Sequence, residues 1–288
     1  MSFEKAIARP DLFETYRFGR SRQRFRAPRA DLDQPYIATI GGSETFGKFV
    51  LDPFPAILER QLRHPVANWG TPGAGPGFFL KDPVLLECCS NARICVITVM
   101  SAIATSNRLF SVYKRRNERL RSISEILRVL YGGVDLEKFR FSHNMLQHLY
   151  EVDADKFKVV ELELRAAWIA RMRELLEDIE THKVVLWLSE RAPEADSGMT
   201  LRDGRPIQPA FVDREMMEAI APYADEVVEY VASPEAAEGG PADRILNGAP
   251  EGAARTHPGA TMHREAAEAL YAPLEAILTA KRSRRWPI

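Results

Sequence analysis

Short runs of apolar, β-branched residues constrain the fold of this chain more than any other feature of the sequence. Three runs are clear: Tyr36–Ile40, Ile94–Met100 and Val184–Leu188. Two are weaker: Pro65–Asn68 and Glu226–Val231. The runs are apolar throughout instead of alternating with polar residues, which is typical of strands covered on both faces in a parallel sheet. We therefore predict five buried strands.

Helical patterns separate these strands. In the best of them, Phe157–Ile179, apolar residues recur at helical spacing and share one face. A second helix is predicted over Thr261–Ala280, just after a proline and a glycine. The alternation predicts an α/β fold with a doubly wound, mostly parallel five-stranded sheet in a single domain over residues 35–288. The stretch at about 111–155 contains no convincing strand and is interpreted as a helical insertion.

An arginine-rich arm, residues 1–34, precedes this domain. Two expectations follow: the arm clamps an anionic substrate or a membrane surface, or it wraps the body of its own or a partner subunit and so supports a homo-oligomer. Its arginines are Arg9, Arg17, Arg20, Arg22, Arg24, Arg26 and Arg29.

Charge balance argues against a nucleic-acid partner, because 39 Lys+Arg face 40 Asp+Glu and the net charge is −1. No run approaches the ~20 apolar residues of a transmembrane helix. The N-terminus lacks an apolar core of signal-peptide length. The three cysteines (Cys88, Cys89, Cys95) lack metal-ligand spacing and are expected to be reduced thiols. We therefore expect a cytoplasmic protein.

Chemistry is expected where parallel strands end, and four loops there carry candidate residues. Ser43 follows two glycines after the first strand and is interpreted either as an exposed nucleophile or as a helix N-cap. The next loop contains four glycines between residues 68 and 77, whose free amides can hold an oxyanion or a phosphate. Asn107 follows the third strand, and His257 precedes the last helix.

These four places resemble the SGNH (GDSL-like) hydrolase family across the sheet framework, about residues 35–110 and 180–280. The resemblance implies a flavodoxin-like or SGNH-like sheet. It implies that Ser43 is the nucleophile and His257 its base, with the oxyanion held by Ser43, Gly73 and Asn107. Gly42 stands where that family has an aspartate before the serine.

The acid that orients the histidine in that family is absent from its usual place, since Ala254 stands three residues before His257. Either the histidine works in a dyad, or an acid comes from elsewhere. Glu190, Asp213 and Asp243 are the candidates. The implied activity is an esterase or deacylase acting on a small-molecule, lipid or carbohydrate acyl ester.

Two other functions remain open. The basic stretch after the third strand, with Arg108, Arg115 and Arg116, suits a phosphate, sulfate or carboxylate, and so favours an acyltransferase or another transferase with an anionic donor or acceptor. The same stretch can equally be a solvated helix face. The third function is a non-catalytic binding protein with a degraded site. The six histidines include no HExxH, so neither a metal nor another cofactor is expected.

Overall fold

A computed structural model describes residues 13–21, 23–194, 201–202, 205–239, 243–246 and 254–280. The strands are β1 (Thr15–Arg17), β2 (Arg24–Arg26), β3 (Ile37–Ile40), β4 (Val66–Asn68), β5 (Ile94–Thr98), β6 (Phe110–Tyr113), β7 (Arg116–Ile123), β8 (His182–Ser189), β9 (Leu201–Arg202), β10 (Arg205–Pro206) and β11 (Glu226–Val231). The helices are α1 (Ser43–Phe46), α2 (Phe54–Leu62), α3 (Pro76–Phe79), α4 (Pro83–Asn91), α5 (Glu125–Leu130), α6 (Ser142–Val152), α7 (Ala154–Asp178), α8 (Arg214–Ile220), α9 (Pro234–Glu238) and α10 (Ala260–Thr279).

Five parallel strands form the central sheet in the order β11-β8-β5-β3-β4. The predicted α/β class and the five-stranded parallel sheet are confirmed. Of these five strands β3 comes first in the chain, and the next two, β4 and β5, lie on opposite sides of it, so the winding direction reverses there. In doubly wound sheets a ligand crevice lies at this reversal, beyond the carboxyl ends of the strands.

The two faces of the sheet carry separate hydrophobic cores. Adjacent residues of β5 show this directly: Ile94 packs with the core formed by α2 and α10, whereas Cys95 packs with the core that contains α7. Trp168 is fully buried in α7, and its indole donates to Met100 O over 2.6 Å. Burial on both faces explains why the strands are apolar throughout.

The segment predicted as a helical insertion begins with a hairpin. Strands β6 and β7 pair antiparallel, and α5 and α6 follow. The expectation that this segment contains no strand is therefore wrong. The reason is chemical: β7 is rich in charged residues, and its buried position is taken by Asn117 instead of an apolar side chain. A ribbon with one exposed face and a polar inner residue lacks the apolar run that marks the other strands.

The N-terminal arm forms the β1–β2 hairpin and packs on the body of its own chain. Phe18 and Phe25 are buried there. Arg26 is buried as well, and its guanidinium donates to four backbone carbonyls between residues 46 and 51. Arg9 and Arg22 lie outside the described residues. No helix in the described ranges is both long and apolar enough to cross a membrane.

Candidate active site

A cleft of about 650 Å³ opens at the carboxyl edge of the sheet, beside β3 and β5. One wall is made by the loops that follow the strands. Residues of the insertion also border the cleft. Residues on the strand side include Gly42, Ser43, Glu44, Lys48, Gly73, Ser101, Gln208, Thr256 and His257, and those on the insertion side are Glu118, Phe141, Ser142, His143 and Asn144.

Ser43 is the first residue of the one-turn helix α1. The N-cap of this helix is Gly42, so the interpretation of Ser43 as the N-cap is wrong. Gly41 has φ +155°, and a Cβ there would lie 2.3 Å from Thr45 Oγ1. Only glycine therefore permits this sharp turn from strand to helix. Thr45 then anchors α1 to β5 by donating to Thr98 Oγ1 over 2.7 Å.

The glycine-rich loop after β4 is held in a defined shape. The amide of Thr71 donates to Gly41 O over 2.9 Å, which joins this loop to the turn before Ser43. Gly73 has φ +73°, in the left-handed region that favours glycine. Within the described part of the chain, the amides of Ser43 and Gly73 donate to no protein acceptor. Two backbone donors are therefore available at the cleft.

His257 borders the same cleft and lies shortly before α10 in the sequence. Its ring packs edge-on against Phe49, with 5.0 Å between the ring centroids. The Thr256 hydroxyl lies 3.3 Å from His257 Nδ1. The backbone of His257 is also held in place, because Arg244 Nε donates to His257 O over 2.9 Å. Ser43, Gly73 and His257, which sequence reasoning selected, thus border one cavity.

The three candidate acids occupy different environments. Glu190 borders a second, small cavity of about 20 Å³ together with Thr256 and His257. Asp213 caps α8 by accepting from Met216 N, and it also pairs with Arg165. Asp243 accepts from the amide and the hydroxyl of Thr261 at the start of α10, and it borders neither cavity.

Glu44 is a site residue that sequence reasoning missed. It borders both cavities and directly follows Ser43. Burial raises the pKa of Glu44, and a backbone hydrogen bond and the nearby Lys48 only partly oppose this shift. Its position next to the candidate nucleophile was the one signal available in the sequence.

Asn107, the predicted third oxyanion donor, is not among the residues that border the cleft. Its side-chain oxygen accepts from the amides of Leu109 and Phe110 over 2.8 and 3.0 Å. Its amide nitrogen donates to Thr105 O over 3.2 Å. The side chain thus builds the turn that leads into β6. Other amide side chains, Gln208 and Asn144, lie at the cleft instead.

The predicted anion-binding arginines do not border the cleft either. Arg108 forms an ion pair with Glu163, and hydrogen bonding between them raises the pKa of Arg108 and lowers the pKa of Glu163. Arg115 and Arg116 are exposed at the turn of the β6–β7 hairpin. Lys48 is the lysine that borders the cavity. Across the described ranges, no three potential ligands cluster as a metal site would require.

Comparison with known proteins gives a family without an assigned activity. A family model described as "Domain of unknown function (DUF6473)" matches residues 1–278. No curated protein sequence matches the chain.

Solved structures of esterases and of a lipase are partly similar to this chain. One is a carbohydrate esterase family 2 enzyme with a carbohydrate binding domain from Corynascus thermopiles (Myceliophthora fergusii), with 13% identity, TM-score 0.41 and coverage of 88% of this chain and 69% of that chain. The lipase Lip_vut3 from a goat rumen metagenome has 14% identity, TM-score 0.41 and coverage of 83% and 97%. Axe2, an acetylxylan esterase from Geobacillus stearothermophilus, has 13% identity, TM-score 0.39 and coverage of 87% and 97%. Similarity at this level carries no conclusion about the activity of this chain.

Proposed function

We propose that this chain, which belongs to the DUF6473 family, is a divergent SGNH-like serine hydrolase that cleaves acyl esters. One observation carries the proposal: Ser43, Gly73 and His257 come from three loops far apart in the sequence and border one cleft. That cleft lies where a doubly wound sheet binds its ligand. A nucleophile, a backbone donor and a base are the groups that acyl transfer requires.

In the proposed reaction, Ser43 Oγ attacks the ester carbonyl carbon while His257 takes the hydroxyl proton. The carbonyl oxygen becomes an oxyanion and accepts from the amides of Ser43 and Gly73. When the tetrahedral intermediate collapses, the C–O bond to the alcohol breaks and His257 returns the proton to the departing oxygen. A water molecule then attacks the carbonyl carbon of the acyl-enzyme while His257 takes its proton. The bond to Ser43 Oγ breaks, Ser43 recovers the proton from His257, and the carboxylic acid is released.

Glu190 is the proposed acid behind the imidazole, because it alone of the three predicted acids borders a cavity with His257. A carboxylate there would stabilise the imidazolium formed when His257 accepts the proton. The raised pKa of Glu44 makes that residue the poorer choice for a permanently charged partner.

The test combines hydrolysis of p-nitrophenyl acetate with labelling by a fluorophosphonate probe. Wild-type protein should turn over the ester and bind the probe covalently, and Ser43→Ala should lose both. Ser122→Ala, an exposed serine on the β6–β7 hairpin, is the matched control and should behave like wild type. His257→Gln should lose turnover as well. Labelling that persists in Ser43→Ala, or full activity in His257→Gln, would contradict the assignment.

Acyl transfer to a bound alcohol or amine is a second candidate, favoured by the size of the cleft. A volume of about 650 Å³ falls within the range of ligand pockets and leaves room for an acceptor beside the acyl donor. Product analysis separates the two reactions. If added alcohols raise the yield of a new ester at the expense of free acid, the enzyme is a transferase. Unchanged acid release supports the hydrolase.

A further inference from the structure

Glu118 is a carboxylate in the cleft that the proposed mechanism does not use. It projects from β7 on the insertion side. Among the described residues, Glu44 is the other carboxylate that borders this cleft, and the nearby Lys48 partly opposes the rise in its pKa that burial causes. Among the described residues, Glu118 has no ion pair, and its Oε2 atom is buried without a hydrogen-bond partner.

A buried carboxylate oxygen without a donor is costly, because it has lost its hydration and gained nothing in return. Its surroundings hold the residue in place. The preceding side chain, Asn117, accepts from Gly75 N over 2.9 Å, and the Ser142 hydroxyl donates to the backbone carbonyl of Glu118 over 3.4 Å. Among the described residues no group donates to Oε2, and because Glu118 borders the cleft, a bound ligand could supply the missing donor.

The position of Glu118 indicates whether the missing donor should be neutral or positively charged. A Cβ built on Gly73 would lie 2.6 Å from Glu118 Oε2 and 3.0 Å from its Cδ. Gly73 is also the residue whose amide is proposed to bind the oxyanion. A carboxylate beside Gly73 would repel the negative charge that the proposed mechanism develops there in the transition state. A hydroxyl on the substrate could donate to Oε2 but would leave the repulsion of the oxyanion. An ammonium group could donate to Oε2 and would also neutralise the carboxylate charge.

We infer that the cleft recognises substrates that carry a protonated amine, whose N–H group donates to Glu118 Oε2. This inference deepens the proposed function and rests on it for turnover, but the binding preference that it predicts does not require catalysis. Glu118 would determine specificity, and the neutral isostere of such a substrate would react more slowly.

Two isosteric pairs of esters test the inference on either side of the scissile bond. On the alcohol side, 2-(dimethylamino)ethyl acetate is compared with 3-methylbutyl acetate. On the acyl side, 4-nitrophenyl 4-(dimethylamino)butanoate is compared with 4-nitrophenyl 5-methylhexanoate. Within each pair a protonated nitrogen replaces a CH group of the same shape. The readout is the ratio of kcat/KM for the cationic ester to that for the neutral ester.

For wild-type protein, we expect this ratio to be roughly tenfold in favour of the cation in at least one pair, or about 1.4 kcal/mol. Glu118→Gln keeps the shape and removes the charge, and it should bring the ratio near one. Glu125→Gln, an exposed glutamate in α5, is the matched control and should keep the wild-type ratio. A wild-type ratio near one in both pairs, or a ratio unchanged in Glu118→Gln, would overturn the inference.

Binding to Ser43→Ala, measured by calorimetry with the same four esters, separates this inference from the proposed hydrolysis. If no ester is turned over but the cationic esters bind more tightly in a Glu118-dependent way, the recognition stands and the hydrolase fails. If turnover depends on Ser43 while all four esters bind and react alike, the hydrolase stands and the recognition fails. Equal or absent binding without turnover overturns both.

Discussion

The amide of Gly75 donates to the side-chain oxygen of Asn117 over 2.9 Å, across 42 positions of the sequence. Asn117 completes its bonding by donating to Tyr113 O over 2.8 Å. One buried side chain thus ties the β6–β7 hairpin to the glycine-rich loop that contains Gly73. The insertion is therefore part of the candidate site, because it helps to hold the loop that contains Gly73, the proposed oxyanion donor.

Asn117→Ala should weaken both the fold and the site. The variant leaves the Gly75 amide without its acceptor, which should lower the free energy of unfolding by about 1–3 kcal/mol. Loss of loop order should reduce kcat/KM for p-nitrophenyl acetate by roughly tenfold. Urea unfolding and ester hydrolysis measure the two effects. Arg115→Ala, exposed on the same hairpin, is the control, and equal behaviour of the two variants would contradict the coupling.

Gly73→Ala should abolish most activity. The residue has φ +73°, and a Cβ would collide with Glu118 Oε2 at 2.6 Å. Displacement of the Gly73 amide should cost roughly 10²-fold in kcat, as when an oxyanion donor is lost. Gly133→Ala is a matched control, because Gly133 has φ +93° but a Cβ there meets nothing within 4 Å. Both variants carry backbone strain, so an equal loss of kcat would rule out a specific role for Gly73.

Arg26→Ala should destabilise the protein strongly. Its buried guanidinium donates to the carbonyls of Phe46, Gly47, Val50 and Leu51, at the end of the helix that carries Ser43 and in the loop after it. Removal of a charged donor from four acceptors should lower the free energy of unfolding by about 3 kcal/mol or more. Arg20→Ala, exposed in the same arm, should change it by less than about 0.5 kcal/mol. Similar denaturation midpoints for both variants would exclude this role of the arm.

His263 should make stability depend on pH. Burial, with smaller effects of Arg26 and Arg244, lowers the pKa of His263 to about 3. Its Nδ1 accepts from Phe54 N over 3.1 Å, which requires the neutral ring. An unfolded histidine titrates near 6.5. As pH falls from about 6.5 to about 3, the unfolded state therefore takes up the proton first, and the free energy of unfolding should fall by up to about 1.4 kcal/mol per pH unit.

His263→Gln removes this titration, so the stability difference between wild type and variant should shrink as pH is lowered from 7 to 4. Denaturant unfolding at several pH values measures it, and the contribution of carboxylates cancels in the difference. His182→Gln, at an exposed position, serves as the control. A difference that stays constant with pH would contradict the prediction.

The catalytic candidates were predictable to different degrees. Ser43 and His257 could be singled out because each stands next to a recognisable strand or helix, and strand ends in a parallel sheet converge on one edge. Gly73 could be chosen among the four glycines of its loop only through the resemblance to SGNH hydrolases. Glu44 and Glu118 could not, because their roles depend on burial and on neighbours that are distant in the sequence. Asn107 shows the opposite case: an amide at a plausible place in the sequence is used by its own turn.

The sequence by itself determined the sheet and the class of fold. A strand covered on both faces must be apolar along its length because of the hydrophobic effect. The strands β3, β5 and β8 are therefore recognisable in the sequence as apolar runs. Only the tertiary structure decided which polar groups meet. The polar side chains of β7 show no periodic pattern in the sequence. The neighbours of Asn117 and Glu118 are decided only when the hairpin packs against the glycine-rich loop. Hydrogen bonds and charge pairs are specific to geometry, and that geometry exists only after the chain has folded.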